Sequence, residues 1–155
     1  MINTSTLCYI ENNGQYLMLL RNKKENDMNE GKWIGLGGKI EEGETPDICV
    51  LREVKEESGL TLNDIQLRGL VHFIDDTGYA EDMYLYTSNS YTGEITECNE
   101  GELHWVDMDK IHELNLWEGD KYFLEKLVNG ESGFEMTLEY DHDKCINYTT
   151  RPLNG

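Results

Sequence analysis

The chain has 155 residues, with 38% hydrophobic and 10% aromatic content, enough for one domain that buries about two-thirds of its unfolded surface. Its 31 acidic against 13 basic residues give a net charge of −18, a field that repels DNA, RNA and anionic membranes. A polyphosphate is tolerated by such a chain only in the company of divalent cations.

The opening stretch MINTSTLCYIENNGQ carries neither a basic start nor an apolar h-region, and no stretch approaches membrane-spanning length. The four cysteines, Cys8, Cys49, Cys98 and Cys145, make no C-x-x-C pair. Neither a zinc site nor a disulfide scaffold is expected. The expectation is a soluble, cytoplasmic enzyme or binding module, with no nucleic-acid or membrane partner, working as a monomer or homodimer.

In chain order, TLCYIE and QYLMLL flank Asn12-Asn13-Gly14 and predict a hairpin. A polar loop with Lys23 and Lys24 follows, then WIGLGG, which runs into Gly37-Gly38. Thr45 as N-cap, Pro46 at the first helical position and Gly59 as C-cap predict a helix over 45–58. At about 100° per residue, Val50, Leu51 and Val54 share one arc, and Glu53, Glu56 and Glu57 fall together on an adjacent one. LRGLVHFID and EDMYLYTSN predict strands around Asp76-Thr77-Gly78, ELHWVDM another, residues 119–128 a helix, and FEMTLEY with CINYT a final hairpin. This order predicts an α/β fold, with mixed β-sheets sandwiched between α-helices.

Three carboxylates crowded on one helix with a single cation, Arg52, repel by roughly 0.2–0.5 kcal/mol per pair. Carboxylates at i, i+3 and i+4 can share divalent cations, which cancels that repulsion. Phosphoanhydride hydrolysis needs the same ions to neutralise phosphate charge and position water. Gly37-Gly38 leave room for backbone groups to approach metal or phosphate. Arg52 can fork onto Glu44 or Glu56 and fix its angle.

Residues 38–60, GKIEEGETPDICVLREVKEESGL, resemble the Nudix box. The pattern is Gly, five residues, Glu, seven residues, Arg-Glu, an apolar residue, any residue, Glu-Glu, any residue, Gly and an apolar residue. Gly38, Glu44, Arg52, Glu53, Val54, Glu56, Glu57, Gly59 and Leu60 fill every position. The resemblance implies that Glu53, Glu56 and Glu57 hold Mg²⁺ or Mn²⁺, and that Gly38 adds its carbonyl. A glutamate accepts the proton of the attacking water: Glu53 is favoured, while Glu100, before the ELHW strand, is a further ligand or the base. Lys23, Lys39 and Gly37 are expected to meet phosphate. The four histidines show no metal-ligand spacing and are expected to be structural.

Over roughly residues 3 to 150 the chain is similar to the MutT-type branch, pyrophosphohydrolases that remove oxidised purine nucleoside triphosphates. The resemblance implies that Trp117 stacks on the base, Asp120 hydrogen-bonds its edge and Phe73 walls the pocket. Three features depart from relatives: Gly119 before Asp120, Ile34 in place of an asparagine, and Met28 in place of an aromatic. The implied reaction releases a monophosphate and pyrophosphate from (oxidised) purine nucleoside triphosphates. The alternatives are ADP-ribose or dinucleoside polyphosphates as substrates, or a non-catalytic nucleotide-binding module.

Overall fold

The computed structural model describes residues 2–153. Strands β1 (Asn3–Asn12) and β2 (Gln15–Arg21) form the expected hairpin, paired through Glu11↔Tyr16 and Asn12↔Gln15. Its turn places Asn13 and Gly14 at φ of 51° and 77°, left-handed conformations for which asparagine and glycine are the suited residues. β1 is buried on both faces, so its period-two alternation serves two cores. Leu7 and Tyr9 point into one, Cys8 and Ile10 into the other; on β2, Tyr16 and Met18 divide from Leu17 and Leu19 in the same way.

Beyond the hairpin come β3 (Trp33–Ile34), α1 (Pro46–Ser58), β4 (Thr61–Leu62), β5 (Gln66–Asp75), β6 (Ala80–Ser88), β7 (Tyr91–Thr92) and β8 (Gly101–Asp107). A 3-10 turn at Met108–Glu113, α2 (Asp120–Val128), β9 (Phe134–Asp141) and β10 (Lys144–Pro152) complete the chain. The main sheet runs β10-β9-β5-β6-β1-β2-β3, with β8 along β2, and β4 pairs with β7 in a small separate ribbon. The β1–β6 and β5–β9 pairs are parallel and the others antiparallel, which makes the fold the expected mixed α/β type. One core packs α1, through Val50 and Val54, on one side of the strands. The other packs α2, through Phe123, Leu124 and Leu127, on the opposite side.

The α1 caps are as expected: Thr45 Oγ1 accepts from the Ile48 N–H at 3.2 Å, and Gly59 takes φ 83°. The buried stripe differs from the expected arc. Leu51 is 40% exposed, whereas Glu57 is only 7% exposed. Glu57 lies two turns beyond Val50, so it shares the Val50 side of the helix and is drawn under the sheet. Leu51, one residue on from Val50, is rotated past the edge of the contact.

Candidate active site

Residues 36–40 lie antiparallel along the first half of β1. Cys8 and Leu36 exchange backbone hydrogen bonds, Thr6 N–H donates to the Gly38 carbonyl at 2.9 Å, and Ile40 N–H donates to the Thr4 carbonyl at 3.0 Å. Two side-chain-free positions allow this approach. A Cβ on Gly37 would lie 2.0 Å from the Thr6 carbonyl oxygen, and one on Gly38 would lie 2.6 Å from the Glu53 carboxyl carbon. The glycine pair thus lets a carboxylate of α1 rest against the backbone of the loop. Gly37 N–H donates to Glu57 Oε1 at 2.8 Å.

Arg52 organises the acids on the outer side of α1. Its Nε and Nη2 donate to the two oxygens of Glu44 at 2.6 and 2.9 Å, a bidentate fork. Its Nη1 donates to Glu53 at 2.9 Å and, more loosely, to Glu56 at 3.3 Å. The two possible partners of the fork are thereby ranked: Glu44 takes it and Glu56 receives a single longer contact. Hydrogen bonds from Arg52, then from the Glu41 N–H, hold the Glu44 carboxyl down at about 2.

One guanidinium cannot balance these acids and the next pair as well. Burial, followed by the hydrogen bond and charge of Glu100, pushes the Glu57 carboxyl up to about 9, against the opposing Gly37 N–H. Burial also raises Glu53, with Arg52 opposing and Glu56 and Glu100 adding to the rise. Glu100 reaches Arg21 Nη1 at 3.3 Å. The acids therefore stand in two groups. Arg52 draws Glu44, Glu53 and Glu56 to one side; Gly37 and Glu100 hold Glu57 on the other. Two carboxyls in contact need either a proton or a cation between them. Hard carboxylate oxygens are donors suited to Mg²⁺ or Mn²⁺, although no three of Glu53, Glu56, Glu57 and Glu100 bring their oxygens within 4.8 Å of one another. The Gly38 carbonyl already accepts from the Thr6 N–H at 2.9 Å and the Cys49 thiol at 3.6 Å.

A cleft of about 530 Å³ adjoins the Gly37-Gly38 loop, and none of Glu53, Glu56, Glu57 and Glu100 lines it. Gly37, Gly38 and Lys39 line one part of it, and Phe73, Trp117 and Asp120 another. Trp117 stands edge-on to Tyr140 at 6.0 Å between centroids, and its Nε1–H donates to Asn29 Oδ1 at 2.7 Å. Asp120 opens α2 and is only 5% exposed. Burial first, with Lys32 opposing and Glu81 adding, brings its carboxyl up to about 7. Ile34 and Met28 also line the cleft, so two of the three departures from relatives fall where a ligand would be read.

Lys23 differs from expectation. It is absent from the cleft wall, and its ammonium is engaged by the Cys98 carbonyl at 3.1 Å and by Glu97 at 3.2 Å. A lysine leaving β2 beside an acidic loop pairs with that loop. Among the described residues, the three-membered set of potential ligand atoms within 4.8 Å of one another is Asp76, Asp141 and His142, all exposed at the tips of two hairpins. Sequence reading also passed over Asn29, Glu81, Met83 and Tyr140, which line the cleft from three different segments. For Glu81, the one available signal was an acid in alternation with the apolar Met83 and Leu85.

A capped helix with its acids against a Gly-Gly loop, beside a mixed sheet, defines a class before any single protein. The NUDIX domain family model matches residues 1–127, and the chain belongs to the Nudix hydrolase family. Within that family it is similar to an uncharacterized Nudix hydrolase, YvcI of Bacillus subtilis, at 31% identity over 95% of this chain and 93% of that protein. It is also 29% identical to an oxidized purine nucleoside triphosphate hydrolase of Mus musculus, over 88% of each chain. Among solved structures, a MutT protein of Bacillus halodurans superposes with a TM-score of 0.87 and 26% identity, covering 96% of this chain and 97% of that one.

Proposed function

We propose that this Nudix hydrolase is a Mg²⁺- or Mn²⁺-dependent pyrophosphohydrolase that cleaves purine nucleoside triphosphates, oxidised ones included, to a monophosphate and pyrophosphate in the cytoplasm. The observation that carries the reading is one continuous cleft from the Gly37-Gly38 loop, against which Glu53 rests, to the aromatic and acidic wall of Phe73, Trp117 and Asp120. Likeness to an oxidized purine nucleoside triphosphate hydrolase of mouse supports the choice of substrate class.

Glu53, Glu56 and Glu57, with Glu100 and the Gly38 carbonyl, would hold the divalent ion. When bound, that ion neutralises phosphate charge and makes a water more acidic. Arg52 and Glu44 fix the angle of Glu53. Glu53 takes the proton of the attacking water, whose oxygen bonds to the β-phosphorus as the α–β anhydride bond breaks. The bridging oxygen leaves with the monophosphate. Lys39 faces the phosphates, whereas the Gly37 N–H is already taken by Glu57, and Trp117, Phe73 and Asp120 hold the base.

The test is a turnover panel with Mg²⁺ or Mn²⁺ over canonical and oxidised purine nucleoside triphosphates, ADP-ribose and dinucleoside polyphosphates. Purine triphosphates should yield monophosphate and pyrophosphate in equal amounts, and E56Q and E57Q should each lose at least about a hundredfold in turnover. Turnover confined to ADP-ribose or dinucleoside polyphosphates, or unchanged in both variants, overturns the reading.

A further inference from the structure

The cleft contains a second acid to which the reaction above assigns no task. Glu81 on β6 is in register with Phe73 on β5 and with Asn3 on β1, and all three line the cleft. Alternation along β6 puts its side chain on the face that carries Met83 and Leu85 into the apolar core. Both of its carboxylate oxygens are held in place. Ser5 Oγ donates to Oε2 at 2.6 Å, and the Tyr79 hydroxyl donates to Oε1. These partners are neutral, so they orient the carboxylate without cancelling its charge. That charge reaches the far wall, where it adds to the rise of the Asp120 carboxyl.

An ionised carboxylate offers about four acceptor positions, and the two hydroxyls occupy two of them. The remainder are open to a cleft that Phe73, Met83 and Trp117 also line. A triphosphate offers only acceptors and negative charge there, so it is turned toward the Gly37-Gly38 end. What satisfies Glu81 is a ligand edge bearing N–H donors. We propose that Glu81 is a specificity-determining residue which, with Asp120, selects bases carrying an exocyclic amino group beside a ring N–H. The proposal rests on the nucleotide reading above and extends it to a residue outside the Nudix box.

A site built to accept from a donor discriminates strongly against the analogue that lacks it. Calorimetric binding of the product nucleotides GMP and IMP, which differ only by the 2-amino group, reads this directly. Wild-type protein should bind GMP at least about tenfold more tightly than IMP, and E81Q should shrink that ratio to about threefold or less. Y79F and S5A, which keep the carboxylate but loosen it, should give intermediate ratios, and they carry the test if E81Q does not fold. Equal binding of GMP and IMP by wild type, or an undiminished ratio in E81Q, overturns the role of Glu81 while hydrolysis of purine triphosphates leaves the wider reading standing. Absence of both nucleotide binding and triphosphate turnover removes the wider reading, and the role of Glu81 goes with it.

Discussion

Glu57 shows how a single side chain can set the pH behaviour of the whole protein. Its folded-state carboxyl lies near 9 because of burial and the Glu100 contact, against an ordinary value of 4.5. A carboxyl raised on folding contributes stability below its unfolded value, and that contribution is lost as pH rises toward the folded one. Metal-free protein should therefore lose melting temperature between about pH 5 and pH 9. E57Q, which removes the titration and keeps the shape, should show a flatter profile by calorimetry. Added Mg²⁺ needs the ionised carboxylate, so its stabilising effect should grow with pH in wild type and be largely absent in E57Q. These residues were legible in sequence because their spacing is local: i, i+3 and i+4 on a capped helix. Leu51 was misplaced because the angular arc is known from sequence, but the edge of the packing contact is not.

The Gly37-Gly38 loop and α1 form one working unit, and their two glycines fail in different ways. A methyl on Gly37 meets the Thr6 backbone, which cannot yield without breaking the strand pairing; one on Gly38 meets the end of the flexible Glu53 side chain. G37A should lower stability by about 1–3 kcal/mol or more, measured by denaturant unfolding. G38A should cost much less stability yet reduce turnover markedly, because it displaces Glu53. Equal stability losses in the two variants would contradict this division. The hairpins, the helix caps and α2 were readable from turn residues and periodicity. The cleft was not, since its walls also depend on the parallel β1–β6 and β5–β9 pairings, which no local pattern encodes. Asn29, Glu81 and Tyr140 come together across intervals of tens of residues, and Lys23 was drawn away by an acidic loop that lies far along the chain.

The excess of 18 negative charges acts on every encounter with a nucleotide. A triphosphate approaching such a field is repelled at long range, and salt screens the repulsion with a Debye length of about 8–10 Å near physiological strength. With divalent ion held constant, kcat/KM should thus rise with moderate added salt, opposite to the fall seen when a basic protein meets a polyanion. A decrease would place a cationic steering surface near the cleft that the charge distribution does not suggest.

The acid cluster of α1 matters to function only if it holds divalent ions, and Mn²⁺ titration followed by the resonance signal of the free ion reads this without reference to turnover. Wild-type protein should bind Mn²⁺ in competition with Mg²⁺, and E53Q and E57Q, folded as judged by circular dichroism, should each bind at least about tenfold more weakly. Binding that is the same in wild type and both variants would contradict the role given to these glutamates.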